Sequence, residues 1–181
     1  MSTDERWMHH EDSGARCSVP PGWSSLAIAG AGVAAVEPAR GRRFQASLVL
    51  TVVDNGGLTF AQWQARTDRM LPLVLDDYEL VDLRHCRFAG HPGGQRLSRH
   101  RAADGRLLML HQWFCAPDGV GVTLTSTCDV PSYARIDALA HRCAARLQLA
   151  GQSPDPLAPS PPAISRVPGR PSAPCVPPAP A

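Results

Sequence analysis

The chain contains no lysine; all 18 of its basic residues are arginine. That bias is what the codon usage of a GC-rich bacterial genome produces, and it closes several classes of chemistry. Without an amine there is no phosphate-binding lysine of a P-loop, no kinase lysine and no Schiff base to a carbonyl or to pyridoxal phosphate. A second absence is strong net charge. A formal balance of +2 is too weak to attract nucleic acid or an acidic membrane surface, and no aromatics interleave with the arginines. A third is length of apolar run: no segment approaches the roughly 20 residues of a membrane-spanning helix. The opening stretch MSTDERWMHHEDSGARC has no apolar core of the kind a signal peptide needs, so the expected location is the cytoplasm.

Six cysteines are present, at positions 17, 86, 115, 128, 143 and 175, and no two form a C-x-x-C pair. Cys115, Cys128 and Cys143 fall in or beside apolar periodic segments, where a free cysteine acts as a small buried hydrophobe. No G-x-S-x-G, H-E-x-x-H or nucleotide-binding glycine pattern occurs. The length of 181 residues suits one domain with a substantial core.

The most informative stretch runs from Arg106 to Cys128. Leu107 to Ala116 is apolar almost throughout, Pro117-Asp118-Gly119 is a turn signal, and Val120 to Cys128 alternates between apolar residues and threonines. A strand apolar on both faces has to be covered on both, so Leu107–Ala116 is expected inside a sheet with helices packed on it.

Residues 1–14 are polar and charged and read as disordered; His9-His10-Glu11-Asp12 is a solvated cluster. Ordered structure is expected from Ala15. A short strand ends at Pro20-Pro21-Gly22, a hairpin spans Leu26–Val36 and a long strand covers Phe44–Val53. Thr59 and Gln62 have the spacing of a capping box. They precede a helix with Phe60, Trp63, Thr67, Met70 and Val74 on its apolar stripe, and Pro72 is expected to end or kink it. Strands follow at Tyr78–Phe88 and Gln95–Arg101, the second so polar that an edge position or a wet face is expected. After the long hairpin, Asp129 caps a helix whose stripe is Tyr133, Ile136, Ala140, Cys143 and Leu147. Residues 151–181 are proline-rich and read as a disordered or polyproline II tail. The sum is an α+β domain over residues 15–150, a mainly antiparallel sheet with helices packed on it.

Several stretches together resemble a known group. They are Val19-Pro20-Pro21-Gly22-Trp23, the strand FQASLVLTVV, Tyr78–Asp82, Ala89-Gly90-His91-Pro92-Gly93-Gly94, Val122–Thr127 and the closing Arg146–Leu149. In this order they are similar to the LpqN/LpqT-like and DcrB-like proteins of the PsbP-like superfamily. The resemblance covers Ala15 to Ala150. It implies an αβα sandwich with no catalytic residues and no cofactor, acting as an adaptor, chaperone or accessory subunit. The chain departs from the lipoprotein members, which carry an export signal and a lipid-bearing cysteine.

His85, Cys86, His91, His100 and His111 are the candidate metal set, but neighbours on a strand point to opposite faces and the spacing is loose, so no metal site is expected. His111 is expected to be a core histidine satisfied by one hydrogen bond. His111 and Cys115 lie about 13 Å apart along a strand, too far for proton transfer. Arg84, Arg87, Arg96, Arg99 and Arg101 form the candidate surface for an acidic protein partner. Trp63, Trp113 and Phe114 form a candidate apolar pocket, and with it a small-ligand-binding protein is the alternative reading. A hydrolase-type enzyme ranks last.

Overall fold

Pro117, Asp118, Gly119 and Val120 close the long hairpin. Asp118 and Gly119 both have positive φ, and the Val120 N–H donates to the Pro117 carbonyl at 2.8 Å. This is the mirror-image turn whose twist matches that of paired strands, and Ala89-Gly90 repeats it in the preceding hairpin. The computed structural model describes residues 6–28, 32–39, 41 and 44–150. Among them the strands are β1 (Trp7–His10), β2 (Ala15–Ser18), β3 (Ser24–Ile28), β4 (Gly32–Val36), β5 (Ser47–Asp54), β6 (Glu79–Phe88), β7 (His91–Arg101), β8 (Leu107–Cys115) and β9 (Val120–Asp129). The helices are α1 (Phe60–Val74) and α2 (Tyr133–Ala145).

Seven strands form one antiparallel sheet in the order β3-β4-β5-β9-β8-β7-β6. β6 to β9 are a meander, while β5 reaches β6 at the far edge only through α1, which crosses one face of the sheet. The opposite face is covered by α2 and by the separate β1–β2 hairpin. This is the expected αβα sandwich, and β8 and β9 are interior as their sequences require. No helix among the described residues is long and apolar enough to cross a membrane.

The two faces differ in chemistry. Beneath α2 lie Val33, Ala35, Leu48, Leu50, Val52, Trp113, Cys115, Val122, Leu124 and Cys128. They pack with Ile136, Ala140, Cys143 and Leu147 from α2 and its exit, and with Met8 and Cys17. The α1 face buries Ala34, Leu108, Leu110 and Phe114, but also Arg96, Ser98 and Gln112. There Trp63 tilts against Phe114 at 6.1 Å and Phe60 stacks on it at 6.0 Å. Trp63 lies so close to Gly121 that a Cβ there would sit 2.7 Å from the ring, so the helix approaches over bare backbone.

Three expectations need correction. Residues 6–14 do not stand outside the fold: Trp7–His10 pairs with Ala15–Ser18 and buries Met8, two apolar residues being too few to register as a periodic pattern. The capping box of α1 forms as expected and the helix ends at Val74, two residues past Pro72, but the lower half of its stripe is in water, with Met70 at 49% and Val74 at 64% exposure. The polar strand β7 is not at the edge, which is β6; it is interior with exposed Arg99 and Arg101 on one face, the wet face that was the other expectation.

Arg96 accounts for that last inversion. It is only 1% exposed; its Nη atoms reach Asp68 of α1 and Gln112 Oε1 at 2.9 Å and its guanidinium lies over Phe114 at 4.7 Å, while Nε has no hydrogen-bond partner among the described residues. Removing one partner of a buried pair leaves a naked charge, whereas removing both does not. Asp68→Ala is therefore expected to lose roughly 2 kcal/mol in urea unfolding, below the usual range for a buried pair because Asp68 is partly in water. Adding Arg96→Met to that variant should recover most of the loss. A double variant no more stable than Asp68→Ala would show that the guanidinium is not held by its counter-charge.

Candidate functional site

Two places carry groups that the fold itself does not use up. The first lies under α2. Asp129 starts the segment, its carboxylate accepting from the Ser132 N–H at 3.2 Å. Along the helix Tyr133, Asp137 and His141 follow at four-residue spacing and so share one side. The sheet opposite supplies His111 and Trp113 from β8, and Gln95, which the register sets beside Trp113.

His111 Nδ1 lies 2.6 Å from Asp137 Oδ1 and its Nε2 lies 2.5 Å from the Gln95 amide nitrogen. The same amide nitrogen is 3.5 Å from His141 Nε2, which is 3.8 Å from Asp137 Oδ2. A self-consistent proton assignment follows from the partners. His111 donates its Nδ1–H to the carboxylate and accepts at Nε2 from Gln95. The His111 ring stacks on Trp113 at 4.0 Å, and His141 meets both rings edge-on. Burial lowers the His141 pKa against the opposing pull of Asp137. Burial, then the neighbouring and hydrogen-bonded Asp137, raises that of the Tyr133 phenol. His111 thus has two polar partners, where one was expected.

The second place is the outer side of α1. Met70, Leu73 and Val74, at i, i+3 and i+4, are exposed by 49%, 79% and 64%, and Leu80 and Val81 at the start of β6 are exposed as well. Arg66 and Arg69 lie on the same helix and form no ion pair among the described residues. A groove of about 240 Å³ runs beside them, lined by Val53, Asn55, Trp63, Arg66, Thr67 and Met70 among others.

The residues singled out from the sequence are distributed differently. Arg84, Arg99 and Arg101 are exposed and paired with Asp82, Glu79 and Asp77. Arg87 donates to the Gly90 carbonyl, and Arg96 is buried on the α1 side. The five do not make one uncompensated basic surface. Trp63 and Phe114 meet on the α1 face, whereas Trp113 lies on the α2 face, so the sheet separates the three and they line no common pocket. His85 is beside Phe60 on the α1 face, and Cys86, opposite Gly93, is on the other. Neither approaches His111. Asp137 and His141 were missed; their legible signal is an Asp and a His one helical turn apart beside the apolar stripe.

No protein-family model matches the sequence, and no curated protein matches it. Solved structures do. The chain is similar to LpqN of Mycobacterium tuberculosis, involved in cell envelope biogenesis, with a TM-score of 0.61 and 16% identity over 81% of this chain and 90% of that one. It is similar to the Ran-binding protein Mog1p of Saccharomyces cerevisiae, with a TM-score of 0.56 and 10% identity over 80% and 94%. It is also similar to the cyanobacterial PsbP of Synechocystis, with a TM-score of 0.55 and 13% identity over 80% and 91%. The fold is PsbP-like and LpqN-like, as the sequence stretches imply.

Cys115, Cys128 and Cys143 are buried and free, as the sequence suggests, and so is Cys17. Burial pushes the Cys115 and Cys128 thiols up to about 12 and raises those of Cys17 and Cys143. At pH 8 these four should therefore resist iodoacetamide until the chain is unfolded, while Cys86 on the edge strand is labelled first among the described residues. Peptide mass mapping checks this, and native-state labelling of Cys115 would contradict it.

Proposed function

We propose that this protein is a non-enzymatic protein-binding module, an adaptor, chaperone or accessory subunit, and that it docks its partner on the outer side of α1. The observation that carries the reading is the exposed row Met70, Leu73 and Val74. An amphipathic helix in a monomer turns such a row inward; a row left in water marks a contact surface. The chemistry of the partner follows from the charges. Arg66 and Arg69 flank the row and form no ion pair among the described residues, while Arg84, Arg99 and Arg101 already have counter-charges. The fitting partner is a protein segment with aliphatic or aromatic side chains next to aspartate or glutamate.

The groove beside Trp63 supports the same reading. At about 240 Å³ it is below the range of roughly 300 Å³ and more that encloses a small ligand, and it suits a single side chain of the partner. Met70 belongs both to its rim and to the exposed row, so groove and row form one surface. That a protein of similar fold, Mog1p, is Ran-binding makes the scaffold a reasonable one for this use.

A displayed random-peptide library selected on the full chain provides the test. Binders should share apolar residues adjacent to acidic ones. Leu73→Asp and Arg66→Glu should each weaken them at least tenfold, and Arg101→Ala should leave them unchanged. Selection without an apolar-acidic consensus, or binders indifferent to both α1 substitutions, would overturn the proposal.

A further inference from the structure

On the opposite side of the sheet, we propose that His111, Asp137 and His141 form a binding site for a divalent transition-metal ion, best suited to zinc, with Gln95 as its cover. One donor atom from each of the three lies within 4.8 Å of the others. Ligands held at about 2.0–2.2 Å from one zinc ion lie some 3.4 Å apart in a tetrahedron, so the cluster needs only a modest contraction.

The position of Gln95 is the more telling observation. Two imidazole Nε2 atoms, one from β8 and one from α2, converge on a single amide nitrogen, at 2.5 and 3.5 Å. That nitrogen bears two hydrogens, and one of them meets the His111 Nε2 lone pair. It therefore occupies the place of an electron-pair acceptor. A cation entering there displaces the amide, and rotation of the same side chain offers Oε1 as a further donor.

The surroundings suit a metal in three respects. The bond from its Nδ1–H to Asp137 fixes the His111 tautomer that leaves Nε2 as an electron-pair donor, and Asp137 exchanges that bond for the ion when the site is filled. Trp113 stacked on the ring removes its remaining freedom. Asp137, largely buried, has two imidazoles and the Tyr133 phenol as its partners, while the nearby Arg135 is taken by Glu37. A buried carboxylate among neutral groups favours an incoming positive charge. Imidazole with a single carboxylate selects first-row ions over magnesium and calcium, which prefer all-oxygen shells. His141 retains 21% side-chain exposure, which leaves the ion a way in.

The experiment is a zinc chloride titration of the full chain against a chromophoric chelator, with cobalt(II) as a spectroscopic substitute. One ion per chain is expected, with the intense visible bands of tetrahedral cobalt and a rise in Tm on adding zinc. His141→Ala and Asp137→Asn should each weaken binding at least tenfold, and the double variant His9→Ala/His10→Ala should bind as the native chain does. Absence of stoichiometric binding would overturn the site. So would binding that survives His141→Ala or is lost with His9 and His10. If His141→Ala does not fold, the cobalt spectrum of the native chain decides, and weak octahedral bands would refute the assignment.

Discussion

Strand β8 is enclosed on both faces, and the two enclosures are of different quality. The rest of the molecule follows from that. Toward α2 the strand presents His111, Trp113 and Cys115 to a continuous apolar core joined by β1 and β2. Toward α1 it presents Leu108, Leu110, Gln112 and Phe114, and the cover there is one helix that touches down at its first half. Burial of apolar area is the main favourable term in folding, so the α2 side holds the domain together. The α1 side is fixed by fewer contacts: Trp63 and Phe60 against Phe114, and Asp68 against Arg96.

That asymmetry explains why each face keeps a different kind of unused chemistry. The thick side can enclose polar groups, because residues such as Ile136 and Ala140 of the same helix already secure it. Tyr133, Asp137 and His141 flank them and form a network with β7 and β8. The thin side cannot bury the whole of α1, and the helix emerges with aliphatic residues and two arginines outward. The sheet keeps the two places apart, so a change in one need not disturb the other.

Elements whose signal is local were legible in the sequence. The Pro117-Asp118-Gly119 turn, the Thr59–Gln62 capping box and the alternation of Val122 and Leu124 with threonines each depend on a few neighbouring residues, and each forms as read. The order of such elements sufficed for the fold class. Features set by distant partners were not legible. Arg96 reads as a solvent-facing residue until Asp68, 28 positions earlier, is placed over it. The stripe of α1 records hydrophobicity but not the line along which a crossover helix departs from the sheet. Of the cluster under α2, His111 stands out as a polar interruption in an apolar strand. Asp137 and His141 look like the wet flank of an amphipathic helix until the helix is docked.

The pairing of β5 with β9 sets Asp54 against Val120 and so closes a loop of about sixty-five residues, whereas β6 to β9 pair through short turns. Entropy sets the sequence of events during folding: nearby partners find each other before remote ones. The meander is thus the natural nucleus, and β5 arrives late, carrying β3 and β4 with it. Until it arrives, β9 has an open edge rich in valine, leucine and threonine. That interval, rather than the finished domain, is when a newly made chain is most exposed to sticking to its neighbours.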